Sequence, residues 1–545
     1  MTGLPSEVDV AVIGAGAAGI GAARCLREAG MASMVVLEAR DRVGGRVHTI
    51  APAGFPLDRG AEWLHSADRN PLSPIAQRLG FSVHRRPPEW TTRLRRSGET
   101  IEAEAEWIAL REAQKLARRR AAVEAEDGSL AVVLQPGGRW NELLEATSSW
   151  ANGAELDLVS LKDCVRYEDS ETNWRLREGY GRLFEALAEG LPVVLRAAVS
   201  KVDHGGRAIR LETARGALAA KRVIVTVPTS IIASEIIRFD PPVRDKLTAA
   251  AGLPLGVDDK LFISVEGELP GAEHDIYLVG STTSRETMSY QVRPFGRPAI
   301  YCFFGGRFAA TLEREGEEAM FAFAAGELAR LFGSDIRKQL APLASTAWQS
   351  DPWSRGSYSY ALPGQADDRA VLAAPVDDRL FFAGEACSPN FFSTAHGAWM
   401  SGVAAAEAAL VSSVRPRAVV EGEHADPRTV EADRAERGQP DFDPGAKIER
   451  HPEREEQPGA DDVAMADDHQ GLVCMEPPQI EQRVDDPILD LSPALASGNG
   501  RDAAAVAPHL PTLILANLVG RQSGPLAEIE LDHLLAILHR QGEPL

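Results

Sequence analysis

Positive charge is what this 545-residue chain most lacks: 58 Lys and Arg stand against 79 Asp and Glu, a formal net charge of −21. That deficit argues against non-specific nucleic-acid binding and against adhesion to an anionic membrane, since both need a cationic surface. It weakly favours approach of a cationic molecule, because much of the acidity sits near the C-terminus. Cysteine is scarce too. Cys25, Cys164, Cys302, Cys387 and Cys474 are odd in number, scattered, and free of zinc-type spacing, so reduced thiols are expected and no metal site. A long apolar run is also missing. Residues 10–23 are Gly/Ala-rich and too short to span a bilayer, and Glu7 and Asp9 stand where a secretory leader would be cationic. The expectation is a cytoplasmic protein. What remains is ordinary, 44% apolar and 25% charged, enough for a large core in a chain of roughly three to four domain-sized pieces.

The pattern along the chain predicts an α/β protein. A β-branched run at 8–13, a glycine turn, an Ala-rich helix to about 30 and a strand at 34–38 make a βαβ unit at the start. Residues 81–195 turn helical and charged. The stretch 101–126 has no Gly or Pro, and its run Arg118, Arg119, Arg120 reads as a solvated helix face. Short strands return at 195–227 and 261–305, then at 379–384, and a small-residue helix covers 393–410. Cofactor-type strands in separated blocks imply two interleaved domains: a Rossmann-type domain from 1–80, 195–250 and 375–412, and an α+β substrate domain from 81–194 and 251–374. Residues 413–505 read as a disordered acidic linker, and 506–545 as a short helical tail that could meet a protein partner.

Gly14, Gly16 and Gly19, with Ala17 and Ala18 between them, fit G-x-G-x-x-G. The motif follows a strand, opens a helix, and precedes the acidic Glu38 by 19 positions. In that setting glycines permit the tight turn, backbone N–H groups approach a pyrophosphate at the helix N-terminus, and Glu38 accepts from a ribose diol. A plain packing turn with Glu38 on the surface is the bland alternative. A second such motif is absent, which favours bound FAD over an NAD(P)H-using flavoenzyme. Ala39, Arg40, Gly44, Gly45 and Arg46 follow, and an Arg beside paired glycines suits a second phosphate contact.

These residues resemble the flavin amine oxidase superfamily, which holds monoamine oxidases, polyamine oxidases and the lysine-specific histone demethylase. The resemblance runs in order through residues 5–412. It includes Gly60, Ala61, Glu62, Trp63 and His65; the strand 223–228; the segment from Trp348 through Trp353 and Tyr358 to Tyr360; Gly384 and Glu385; and Thr394, Ala395 and Gly397. It implies that these segments, with Val202, line FAD, that Glu385 meets the ribityl chain, and that Thr394 and Ala395 lie by the pyrimidine edge. A helix starting there would aim its positive end at N1/C2=O. Lys260 matches the family lysine that holds a water beside N5. Departures matter. Ser357 stands where monoamine oxidases carry the cysteine that tethers FAD, so non-covalent FAD is expected. Thr394 replaces the second cage tyrosine, which leans toward polyamine oxidases. The demethylase's chromatin-reading parts have no counterpart.

The activity so implied is oxidation of a small-molecule amine: hydride transfer from an amine C–H to flavin N5, imine hydrolysis, and reoxidation by dioxygen with release of hydrogen peroxide. A polyamine or other alkyl amine is the favoured substrate. Such chemistry needs positioning and an apolar pocket more than acid–base machinery. Lys260, Tyr358, His65 and Trp348 are the candidate catalytic residues, and Trp353, Phe391 and Phe392 are further aromatic walls or core. His65 could bind a distal amine or be a satisfied core histidine. A desaturase or protoporphyrinogen-type oxidase on the same fold, or a non-catalytic FAD-bearing scaffold, stays open.

Overall fold

The computed structural model describes residues 4–414 except 89, 91–92, 125–126 and 270–274. The acidic linker expected at 413–505 and the helical tail at 506–545 lie outside the described residues, apart from the last turn of a helix that ends at Val414.

The expected βαβ unit is β1 (Glu7–Ile13), α1 (Ala17–Glu28) and β2 (Met34–Leu37). β1 pairs in parallel with β2 on one side and with a later strand, Gly216–Val225, on the other. Leu380–Phe382 joins that later strand, also in parallel. Where they run side by side at 10–13, 34–37, 223–225 and 380–382 they are buried on both faces, and there the sequence is a continuous apolar run rather than an alternating one. Val193–Val194 pairs with β2 just ahead of the expected boundary at 195, and an antiparallel meander, Val199–Asp203 and Ile209–Thr213, completes most of an eight-stranded sheet.

The last helix, Ala395–Val414, lies against α1. Only small residues allow this approach: a Cβ on Gly402 would sit 2.0 Å from the Ala18 carbonyl oxygen, and one on Gly21 2.8 Å from that of Trp399. This crossing fixes two helix N-termini at one edge of the sheet. The carboxyl ends of its parallel strands open there, the usual ligand position in open α/β sheets.

A second, five-stranded antiparallel sheet is drawn from residues 258–345, with Asp258–Val265 between Ala299–Gly305 and Leu340–Ser345. Helices cover it. Ile101–Glu124 is the long helix expected at 101–126, and Asn141–Asn152 packs against Ala299–Gly305. Among the described residues no helix is long and apolar enough to cross a membrane.

Candidate active site

A cavity of about 730 Å³ runs from the glycine turn after β1 to the inner face of the long helix Ile101–Glu124. Its first wall is main chain. Gly14 holds φ +104°, and a Cβ there would meet Thr226 Oγ1 at 2.7 Å. Gly19 does not line the cavity; a Cβ on it would lie 1.9 Å from the Gly14 carbonyl oxygen, so its absence of side chain lets the helix sit against the turn. α1 begins at Gly16 with no side-chain cap, which leaves the first-turn N–H groups at Ala17 and Ala18 facing the cavity. Gly44 bridges to Gly16 and donates to the Ala15 carbonyl at 2.8 Å, so the two glycine turns form one cradle.

Glu38 directly follows β2, is 6% exposed, and accepts from Ala15 N at 2.7 Å and Arg40 N at 2.8 Å. One acceptor position per oxygen remains for a diol. An uncapped helix start and a buried carboxylate with spare acceptors, joined by a cradle that Cβ atoms would fill, fit an adenine dinucleotide.

Other expected contacts are redistributed. Ala39, Arg40, Gly45, Arg46, Gly60, Ala61, Glu62, Trp63, Trp353, Gly384, Glu385, Thr394 and Ala395 all line the cavity. Arg40, however, spends its guanidinium on Asp351 at 2.6 and 2.7 Å and on Ser354 Oγ at 2.8 Å. Arg46 Nη1 donates to Ser357 O at 2.6 Å and to Glu385 at 3.0 Å, leaving its other N–H groups for the cavity. Glu385 accepts from Arg46, from Ser359 N and Oγ, and from Ser393 N. Burial alone would raise this carboxyl, but Arg46, Ser359 and Arg369 outweigh it and hold it below the usual range. Four donors meet its two oxygens, so Glu385, which lines the cavity, also organises its neighbours. Val202 is also corrected. It is fully buried between Leu211 and Phe239 of the two neighbouring strands, whereas the chain meets the cavity earlier, at Ala197, Ala198 and Val199. Thr394 accepts from Gly397 N at 2.9 Å and so caps the last helix at the cavity wall.

The four candidate catalytic residues come together. Lys260 lies in Asp258–Val265, 6% exposed, with its ammonium 3.0 Å from Glu62 Oε2 and 3.0 Å from the Asp58 carbonyl oxygen. Two of its three N–H donors are thereby placed. Glu62 continues to Arg175 at 3.6 Å and Arg175 to Asp275 at 2.8 Å, a buried row of alternating charge. Alternation is what makes such burial tolerable, since an unpaired charge would cost several kcal/mol. Trp348 is held through its N–H to Asp259 at 3.1 Å and its indole to Arg59 O at 3.3 Å. Tyr358 OH donates to Trp150 O at 2.8 Å, which leaves its ring as wall. His65 Nδ1 is 2.7 Å from Asn173 Oδ1. With Oδ1 as acceptor, Nδ1 carries the proton and Nε2 is a free acceptor. Burial lowers the His65 pKa more than the Asn173 contact raises it.

The chamber beyond was mostly invisible in sequence. Phe392 lines it; Phe391 instead packs on His396 with ring centroids 5.0 Å apart. Tyr167 meets Phe392 edge-on at 5.2 Å. Asp169, Tyr277, Ser148 and Trp150 add to the walls, and no spacing marks them. Arg118 is a correction: with Arg111 and Gln114 it faces the cavity, while Arg119 is exposed. Three consecutive arginines cannot share one helix face, and the i, i+3, i+7 spacing of Arg111, Gln114 and Arg118 was the available signal.

Residues 17–410 match the family described as flavin containing amine oxidoreductase. The chain is 30% identical over 434 residues to polyamine oxidase 4 of Oryza sativa subsp. japonica, covering 74% of this chain and 88% of that protein. It is also 30% identical over 440 residues to polyamine oxidase 2 of Arabidopsis thaliana, covering 73% and 87%. Human lysine-specific histone demethylase 2 is 26% identical over 433 residues, of which the match spans 52%. Among solved structures, wild-type putrescine oxidase bound to putrescine superposes with a TM-score of 0.63 at 19% identity, covering 74% of this chain and 99% of that one, a likeness of fold. With a dinucleotide cradle opening onto an aromatic chamber, this chain belongs to the flavin-containing amine oxidoreductases and is an FAD-dependent amine oxidase.

Proposed function

We propose that the protein oxidises an alkyl amine, the class to which the substrates in its relatives' names belong, and uses dioxygen as electron acceptor with hydrogen peroxide as product. The observation that carries this reading is the continuity of one cavity from the glycine cradle, past the buried Lys260 ammonium, to the walls formed by Trp348, Tyr358 and Phe392. When bound, the flavin supplies the two-electron acceptor for the carbon beside the amine nitrogen.

The chain's own residues do the rest. Tyr358, Trp348 and Phe392 exclude water and offer ring faces to the substrate ammonium before it loses its proton. His65, neutral and with Nε2 free, accepts that proton. Lys260, fixed by Glu62 and Asp58, holds positive charge and one remaining N–H beside the region where electrons arrive. Thr394 caps a helix whose positive end points the same way. Ser357 Oγ donates to Gly256 O at 2.9 Å, and a hydroxyl there offers no thioether, in keeping with non-covalent FAD.

Anaerobic mixing of the purified yellow protein with an alkyl amine should bleach the flavin, and air should restore it with one peroxide per amine. Acid precipitation should leave the yellow colour in the supernatant. A flavin that no amine bleaches refutes the reading.

A further inference from the structure

Arg111 and Arg118 both face the chamber from one side of the helix Ile101–Glu124, two turns apart. Among the described residues neither makes an ion pair with a carboxylate. Arg118 donates through Nε to the Gln114 carbonyl at 3.2 Å and through Nη1 to Cys164 Sγ at 3.6 Å. Arg111 has no hydrogen bond or ion pair among the described residues; its guanidinium lies 5.7 Å from the Trp107 ring centre. Arg42 and Arg59 are likewise held by main-chain carbonyls alone among the described residues, but three other buried or half-buried arginines of this chain meet a carboxylate. Arg175 meets Asp275 at 2.8 Å, Arg369 meets Asp163 at 2.7 Å and Arg40 meets Asp351 at 2.6 Å.

The carboxylates of the chamber do not serve as counter-ions. Glu62 is held by Lys260. Asp169 Oδ1 takes the Glu171 amide at 2.8 Å, and among the described residues this carboxylate makes no ion pair with either arginine. Burial pushes the Asp258 carboxyl well above the usual range, toward the neutral acid. Burial, and then the neighbouring Arg118 charge, lower the pKa of Arg111, so two like charges stand two turns apart on one wall of the cavity.

A guanidinium pair left without a carboxylate, at the edge of a ligand chamber, is a site for one. Resting on the amine-oxidase reading above, we propose that the substrate is an alkyl amine bearing an anionic group, a carboxylate in the simplest case, which Arg111 and Arg118 hold while the amine end lies among Tyr358, Phe392 and His65. The second ammonium of a diamine or polyamine would instead meet two guanidinium groups.

The test uses the full-length holoprotein and chain-matched probes: 1,5-diaminopentane, 5-aminopentanoate and pentylamine, with L-norleucine as the arm that carries its carboxylate on the reacting carbon. In anaerobic stopped flow, one of the two anionic amines should reduce the flavin at least about tenfold more efficiently than the diamine. Which of the two does so fixes whether the anion sits next to the amine or far from it. Arg111→Gln and Arg118→Gln should each cost about 10- to 100-fold with the anionic amine, the loss of one charged hydrogen-bonding partner, and within about threefold with pentylamine. Arg111→Lys and Arg118→Lys should recover part of the loss. Pentanoate, which cannot be oxidised, should compete with the anionic amine in the wild type and lose that competition in the Gln variants. A preference for the diamine, or Gln variants that treat all four amines alike, overturns the inference and leaves the amine oxidase standing. Bleaching by none of the four amines or by any wider amine panel removes both.

Discussion

At the glycine end of the cavity the walls are main chain, whereas in the chamber they are side chains drawn from segments far apart in sequence. The cradle is closed by positions where a Cβ has no room: Gly14 against Thr226, Gly19 against the Gly14 carbonyl, Gly45 at 3.1 Å from Gly16 Cα. The chamber is closed by Arg111, Trp150, Tyr167, Tyr277 and Phe392, none of which obeys a backbone constraint. A wall of main chain tolerates one residue type. A wall of side chains tolerates any set with the right shape and charge, and it is there that members of one fold differ in what they accept.

The comparison breaks most visibly if the cradle tolerates a methyl group. Gly19→Ala places Cβ against a backbone oxygen that cannot move without opening the turn. We expect loss of about 3 kcal/mol of stability and of nearly all bound flavin, read from the visible-to-ultraviolet absorbance ratio and a melting curve. Gly16→Ala is the control. Its Cβ would meet only Gly45 Cα, at 4.0 Å, so the fold should survive while flavin affinity falls. A Gly19→Ala protein that purifies fully yellow would show that the cradle is less main-chain-determined than its geometry indicates.

The next largest effect lies where the two ends meet. Lys260→Met keeps the stem and removes the ammonium, leaving Glu62 with Arg175 alone, 3.6 Å away. Flavin reduction, reoxidation or both should slow by about 10²–10³-fold, and the melting temperature should fall because a buried carboxylate loses its nearest partner. Unchanged rates in both half-reactions would remove Lys260 from the machinery.

Legibility in the sequence follows the same division. Gly14, Gly16, Gly19 and Glu38 could be read directly, because the turn demands those residue types at that spacing. Lys260 and Trp348 were found through resemblance alone; a lysine near a strand start carries no sign of burial. Val202 was misplaced by three residues, since an apolar strand does not say where it passes a ligand. The run at Arg118 reads as solvated because charge runs usually are, although the helical spacing with Arg111 holds the contrary signal. For Tyr167, Asp169 and Tyr277 there was none: their meeting is a product of tertiary folding.

His65 offers a smaller effect and a pH signature. Burial keeps it neutral at and above pH 7, so the rise in flavin reduction between pH 7 and 9 at sub-saturating amine should follow the substrate, whose ammonium titrates near about 10.4. If Nε2 takes the substrate's proton after binding, His65→Ala should be about tenfold slower at pH 7, and less impaired at pH 9 where more amine arrives neutral. An equal loss at both pH values would assign His65 to packing.

The smallest expected effect comes from His396, buried behind the cavity wall that Thr394 and Ala395 line. It follows the helix-capping Thr394 by two residues, its ring packs on Phe391 at 5.0 Å, and its Nε2 is buried without a partner. Burial, with the nearby His65, lowers its pKa to about 3. The unfolded chain, near the ordinary value of about 6.5, therefore binds a proton that the folded chain refuses. The stability it contributes is present above about pH 6.5 and is lost as pH falls toward 3. By pH 4.5 the loss is about 2–3 kcal/mol. His396→Leu removes the titrating group and should flatten that part of the curve, measured by chemical denaturation of the flavin-loaded protein between pH 7 and 4.5. Because the ring touches neither the cradle glycines nor Arg111, the variant should keep its flavin and its preference among amines. If acid sensitivity is the same in both proteins, the imidazole is solvated or paired in solution, and the seam between main-chain cradle and side-chain chamber is wetter than its packing indicates.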